Sequence, residues 1–66
     1  MNVEVNGKPF ELPAAATVER LISELGLETG YALVERNGEP VERERYGLVE
    51  LADGDALVVA RPVAGG

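Results

Sequence analysis

The stretch Asp53-Gly54-Asp55-Ala56-Leu57-Val58-Val59-Ala60-Arg61-Pro62-Val63-Ala64-Gly65-Gly66 decides how this chain is read. Asp-Gly-Asp is turn chemistry, and it launches an uncharged apolar run from Ala56 to Ala60. A valine-rich run of that kind suits an interior strand covered on both sides, so the strand is expected at the centre of a sheet. Pro62 lacks an N–H and holds Arg61 extended, so ladder pairing should fail there and the chain should leave the sheet. The body of the domain is therefore expected over residues 1–62, with Val63, Ala64, Gly65 and Gly66 forming a free arm of at most about 13–14 Å. Two residues without Cβ atoms make the end of that arm thin and conformationally free. A terminal carboxylate on such an arm can thread into a narrow active site of another protein, which makes Gly66 the candidate reactive residue.

Upstream, Met1-Asn2-Val3-Glu4-Val5 alternates apolar and polar, meets Asn6-Gly7, and resumes as the shorter alternation Phe10-Glu11-Leu12. Asn-Gly tolerates the positive φ that a type I′ turn needs at both central positions, which predicts an N-terminal hairpin. Pro13 ends the extended pairing. Thr17 stands as an N-cap before Val18, Leu21, Ile22 and Leu25, whose spacing makes one apolar helical stripe, and Gly26 supplies the C′ stop. Arg20 occupies the place where Glu or Gln would complete a capping box, so only the single cap bond is expected. A third strand is expected over residues 31–35, closed by Asn37-Gly38. Brief pairing at Val41, a short helical turn over 43–46 and a short apolar segment over 48–51 should follow. Two strands, a helix and two or three further strands make an α+β roll: a mixed sheet packed on one main helix, with the last strand able to lie beside the first.

A chain of 66 residues allows one domain and, burying only about 60 % of its unfolded surface, one thin core. A closed catalytic pocket is not expected. The absence of Cys and His removes thiolate nucleophiles, disulfides, imidazole bases and the usual zinc ligands. Six Lys and Arg against twelve Asp and Glu give a net charge of −6, which disfavours nucleic acid and anionic membrane lipid and favours a basic partner surface. Met1 leads straight into the alternating segment, so neither a signal peptide nor a membrane span is expected, and the cytoplasm is the expected compartment.

The order of elements, the length, the Asp53-Gly54-Asp55 turn before the last strand and the ending Val63-Ala64-Gly65-Gly66 resemble the β-grasp, ubiquitin-like sulfur carriers of the ThiS/MoaD family. The likeness runs over the whole chain and is nearest to the ThiS branch. It implies a protein substrate, not an enzyme. Gly66 would be adenylated by a ThiF-like activating enzyme that uses ATP and magnesium, then converted to a thiocarboxylate with sulfur from a persulfide or cysteine desulfurase system. The sulfur would pass to a ThiG-like thiazole synthase in thiamin biosynthesis. Gly65, Ala64 and Val63 are then the threading residues, the chain itself binds no cofactor, and it is a monomer when free. Relatives that dock a molybdopterin synthase subunit are expected to carry a bulky aromatic and a Pro-Pro pair near the end of the last strand. Ala60, Arg61 and a single Pro62 stand there instead. A carrier for molybdopterin or tRNA thiolation, a ubiquitin-like modifier joined through Gly66 to lysines, and a passive interaction domain are the alternatives.

In the last strand Leu57 and Val59 share one parity and are assigned to the core with Val3, Val5, Phe10, Leu21, Ile22 and Leu25. Val58 and Ala60, with Pro62 beyond them, then make a shallow apolar patch on the open face, where an activating enzyme can dock. Asp53 and Asp55 lack a third ligand at calcium-loop spacing and read as a turn, so no metal site is assigned. Glu42-Arg43-Glu44-Arg45 reads as solvated surface, and Tyr31 and Tyr46 as half-buried packing residues.

Overall fold

The computed structural model describes residues 1–61. Strands β1 (Asn2–Val5), β2 (Lys8–Glu11), β3 (Leu33–Arg36), β4 (Glu39–Pro40) and β5 (Ala56–Ala60) form one sheet in the order β2-β1-β5-β3-β4, with the single helix α1 (Val18–Glu24) between β2 and β3 in the chain. β1 and β5 run parallel, and every other neighbouring pair is antiparallel. The last strand does lie beside the first, at the centre of a mixed sheet. This is the α+β roll that the order of elements predicts, and the β-grasp that the family resemblance implies.

Local chemistry places the hairpins. Asn6 and Gly7 take φ of 51° and 83°, and Asn37 and Gly38 take 52° and 84°, the positive values that a tight two-residue turn demands. Thr17 caps α1 as expected, its hydroxyl accepting the Arg20 N–H at 3.2 Å. The capping box is absent, and the other N-terminal donors go to a distant loop instead. Val18 N–H bonds the Val49 carbonyl at 3.0 Å and Glu19 N–H bonds that of Tyr46 at 2.9 Å. The helix ends in a Schellman arrangement: Leu27 N–H reaches the Ile22 carbonyl at 3.1 Å and Gly26 N–H reaches Ser23 at 3.0 Å, with Gly26 at φ 75°.

The helix stripe meets the sheet where the parity assignment puts it. Val18, Leu21 and Ile22 are fully buried against Val3, Val5, Leu57 and Val59, while Phe10 and Leu25 are partly buried at the margin. Leu12, Ala16, Ala32, Val34, Tyr46 and Leu51 complete the core.

Several expectations need correction. The run from Ala56 to Ala60 is covered on one face only: its burial alternates, with Leu57 and Val59 inside and Ala56, Val58 and Ala60 exposed. Central position in the sheet accounts for its lack of charge on the core side, and the small exposed residues complete the run without covering. The third strand begins at Leu33, not at residue 31, because the Tyr31 and Ala32 N–H groups both turn back to the Glu28 carbonyl. Tyr31 is therefore 64 % exposed, whereas Tyr46 is fully buried and its hydroxyl donates to the Ala32 carbonyl at 2.8 Å. Val41 pairs briefly, donating to the Val34 carbonyl at 2.9 Å just after β4, and Arg43–Arg45 forms a single 3-10 turn.

Burial ranks the helix positions. Leu21→Ala should cost about 2–5 kcal/mol in urea melts, a large share of the stability of so small a domain, and Leu25→Ala clearly less. Equal losses at the two positions would mean that the helix packs on a different face.

Candidate functional site

Gly66, Gly65, Ala64, Val63 and Pro62 lie outside the described residues; the site can be built as far as Arg61, where β5 has just ended. The strand that leads there is fastened on both of its edges. β1 pairs with β5 only over Glu4 to Ala56 and Val5 to Leu57, but the Asn6 side chain continues the ladder. Its Oδ1 accepts the Val59 N–H at 2.9 Å and its Nδ2 donates to the Val59 carbonyl at 3.0 Å, doing what a further strand residue would do. On the other edge, Asn37 N–H donates to the Ala56 carbonyl at 2.7 Å and Asn37 Oδ1 accepts the Ala56 N–H at 2.9 Å. Both Asn-Gly turns thus fasten the same central strand.

Pairing register fixes what the open face presents. Ala60 is opposite Leu33, Val58 opposite Glu35, Glu35 opposite Pro40, and Ala56 opposite Glu4. Because side chains alternate, these residues share the face turned away from α1. Val58 is 51 % exposed and Leu33 53 % exposed, and with Ala60 they form an apolar centre next to the point where the chain leaves the sheet. Glu4, Glu11 and Glu35 lie on the same face, and no Lys or Arg does among the described strand residues. Val58 and Ala60 therefore stand where the sequence puts them. Leu33 belongs to the patch too, and only the long-range register of β3 against β5 reveals it.

Asp53 and Asp55 do form a turn. Asp53 Oδ1 accepts the Asn2 N–H at 2.7 Å, and Gly54, at φ 88°, donates to the Asn2 carbonyl at 2.8 Å. Asp55 is the one buried charged side chain among the described residues. Its Oδ2 accepts from Ala52 N–H at 2.8 Å and Arg36 Nε at 2.9 Å, and its Oδ1 from Asn37 Nδ2 at 3.0 Å. Burial pushes this carboxyl up, but the Ala52 N–H, the Asn37 amide and the Arg36 guanidinium together outweigh it and hold the group below the ordinary carboxylate range. The carboxylate is turned inward and saturated by these donors, and no group of three metal-ligating side chains occurs among the described residues. Residues 42–45 lie exposed, as expected of a solvated strip. No helix among the described residues is long and apolar enough to cross a membrane.

With this geometry in hand, likeness to known proteins is informative. The ThiS family model matches residues 3–66. The sulfur carrier protein ThiS of Bacillus subtilis is 35 % identical over 65 residues, covering 97 % of this chain and 98 % of that protein. The thiazole synthase of Paramagnetospirillum magneticum is 38 % identical over 66 residues, all of this chain but 20 % of that protein, and the thiazole synthase of Magnetococcus marinus is 36 % identical with the same coverage. The chain thus spans a fifth of the length of these two relatives. A crystal structure of the thiamine biosynthesis protein (ThiS) from Geobacter metallireducens superposes with a TM-score of 0.81 at 39 % identity, covering all of both chains.

The Asp55 cluster predicts a pH dependence with a definite sign. A carboxyl whose pKa is lowered by folding contributes stability that is fully present above its unfolded value of about 3.9 and is lost as pH falls through the folded value. Asp55→Asn should cost about 1–3 kcal/mol at neutral pH. The gap between variant and parent, read from urea melts, should narrow on acidification below about pH 4. A gap independent of pH would contradict the assignment of these bonds to an ionised Asp55.

Proposed function

This chain belongs to the ThiS family, and we propose that it is the sulfur carrier for the thiazole part of thiamin, acting through the carboxylate of Gly66. The single observation that carries the reading is the whole-length likeness to a sulfur carrier, on a sheet whose open apolar face lies at the end of β5. In this role the chain is a substrate of other enzymes and works in the cytoplasm.

The chemistry follows from the state of an α-carboxyl group. Its pKa near 3.3–3.7 leaves it ionised at neutral pH, and an anion is a very poor target for a sulfur nucleophile. A Gly66 carboxylate oxygen attacks the α-phosphorus of ATP and displaces pyrophosphate, giving an acyl adenylate. Magnesium in the activating enzyme offsets the phosphate charge. A persulfide sulfur then attacks the acyl carbon and AMP leaves; reductive cleavage of the S–S bond by a thiol frees the thiocarboxylate. This chain supplies the thin end that reaches the ATP site, with Gly65, Ala64 and Val63 following Gly66 into the narrow active site.

The ThiF-like adenylating enzyme is proposed to dock on Leu33, Val58 and Ala60, with basic residues around its own apolar patch answering Glu4 and Glu35. The acceptor is proposed to be a thiazole synthase. Support comes from relatives of that name in which a stretch like this chain makes up a fifth of the protein.

Incubation with ATP, the adenylating enzyme and a sulfur donor, followed by intact-mass measurement and C-terminal fragmentation, tests the proposal. The expected change is one oxygen exchanged for sulfur, confined to Gly66. An unchanged mass, with the enzyme active on another carrier, would refute it, and a ladder of lysine conjugates would mark a protein modifier instead. Gly66→Ala should leave the unfolding free energy, read from urea melts, within about 0.5 kcal/mol of the parent. It should reduce adenylation by about a hundredfold, because a misplaced carbonyl loses its attack geometry. Val58→Asp should raise KM for the carrier by about tenfold or more with little effect on kcat. A change in kcat alone would place docking on another surface.

A further inference from the structure

The two turn asparagines each precede a glycine, and that pair has a chemistry of its own. The glycine nitrogen attacks the asparagine Cγ, a new C–N bond closes a succinimide, and the side-chain nitrogen leaves as ammonia with the proton given up by the glycine N–H. Water then opens the ring to aspartate or isoaspartate. Neither Gly7 nor Gly38 has an atom from beyond its chain neighbours within 4 Å of where a Cβ would stand, so no other part of the fold packs on that side of either turn. What prevents the reaction is the grip on the asparagine side chain, which must swing away from its partners before Cγ can meet the next residue.

The two grips are unequal. Both asparagines hold the central strand, but Asn6 holds both backbone groups of Val59 by partly buried bonds, at the tip of a hairpin whose outer strand runs over Lys8–Glu11. Asn37 holds the Ala56 N–H through an exposed bond and Asp55 through a partly buried one, at the tip of a hairpin whose outer strand is only Glu39–Pro40. We propose that Asn37 is a spontaneous deamidation site, gated by local release of its side chain from Ala56 and Asp55, and that it converts ahead of Asn6. The product cannot regain the native contacts. An aspartate at 37 puts a carboxylate oxygen where Nδ2 now lies 3.0 Å from Asp55 Oδ1, and isoaspartate lengthens the backbone inside a turn with no slack. The aged chain loses its fastening at the start of β5, at the opposite end of the strand from the arm.

Peptide mass mapping of the unmodified chain, incubated at neutral pH with and without urea, decides the matter. Fully unfolded in urea, both sites should convert at similar rates. In the folded chain both should slow by more than about tenfold, with Asn37 leading. Urea below the unfolding transition should leave the Asn37 rate nearly flat and raise that of Asn6, because a local release exposes little new surface. Conversion of Asn6 first, equal urea dependence at the two sites, or an Asn37 rate unchanged by folding would overturn the proposal.

Discussion

Val59 exchanges both of its backbone groups with the side-chain amide of Asn6, and Ala56 exchanges both of its own with Asn37, one through the side chain and one through the main chain. These bonds settle a problem that the topology creates. β5 is the central strand, yet its parallel partner β1 must turn back at Asn6-Gly7 to make the first hairpin, which leaves Val59 facing nothing on that edge. An unpaired, nearly buried N–H and carbonyl would cost about 1–3 kcal/mol each. The asparagine that makes the turn also fills the gap, so one residue type meets two demands: positive φ for the hairpin and an amide that imitates one more peptide unit. Asn37 does the same for the start of the strand and passes its remaining donor to Asp55. The last strand is thus held near both of its ends, at Ala56 and at Val59.

Signals written within a few residues were legible in the sequence; those written across the fold were not. The first hairpin, the Thr17 cap, the helix stripe and its Gly26 stop are local, and each stands where the pattern puts it. The start of β3 was misplaced because residues 31 and 32 look like strand in isolation, while their N–H groups are drawn back to Glu28. Tyr46 was underestimated because its burial depends on a carbonyl, Ala32, that only the folded loop brings to it. The apolar run of β5 misled most, since five apolar residues suggest two covered faces. Three of the five, Ala56, Val58 and Ala60, prove to be exposed. An apolar surface that no element among the described residues covers is what the proposed docking face is argued from, so the misreading of the run and that proposal have one source.

Such a face invites self-association, and the sheet is built against it. Both outer strands carry a proline, Pro9 in β2 and Pro40 in β4, and a proline at an edge removes a donor from any further ladder. The face itself bears Glu4, Glu11 and Glu35 without a compensating cation in the described strands, so two copies brought together would repel. A partner with an apolar patch and basic surroundings meets neither obstacle. On the proposed docking, these charges favour a basic partner over a second copy of the chain.

On the carrier reading, the same geometry explains why the affinity for any partner has to stay modest. One arm must be engaged first by an activating enzyme and then by an acceptor, and a chain bound too tightly at the first would never reach the second. Leu33, Val58 and Ala60 make a small apolar centre, far short of what a permanent interface buries. Acidic residues around it speed encounter by steering more than they slow departure. The division of labour is then complete. On that reading the arm offers the carboxylate and the face brief recognition, and the asparagine-held strand fixes the position of the face from Ala56 to Ala60.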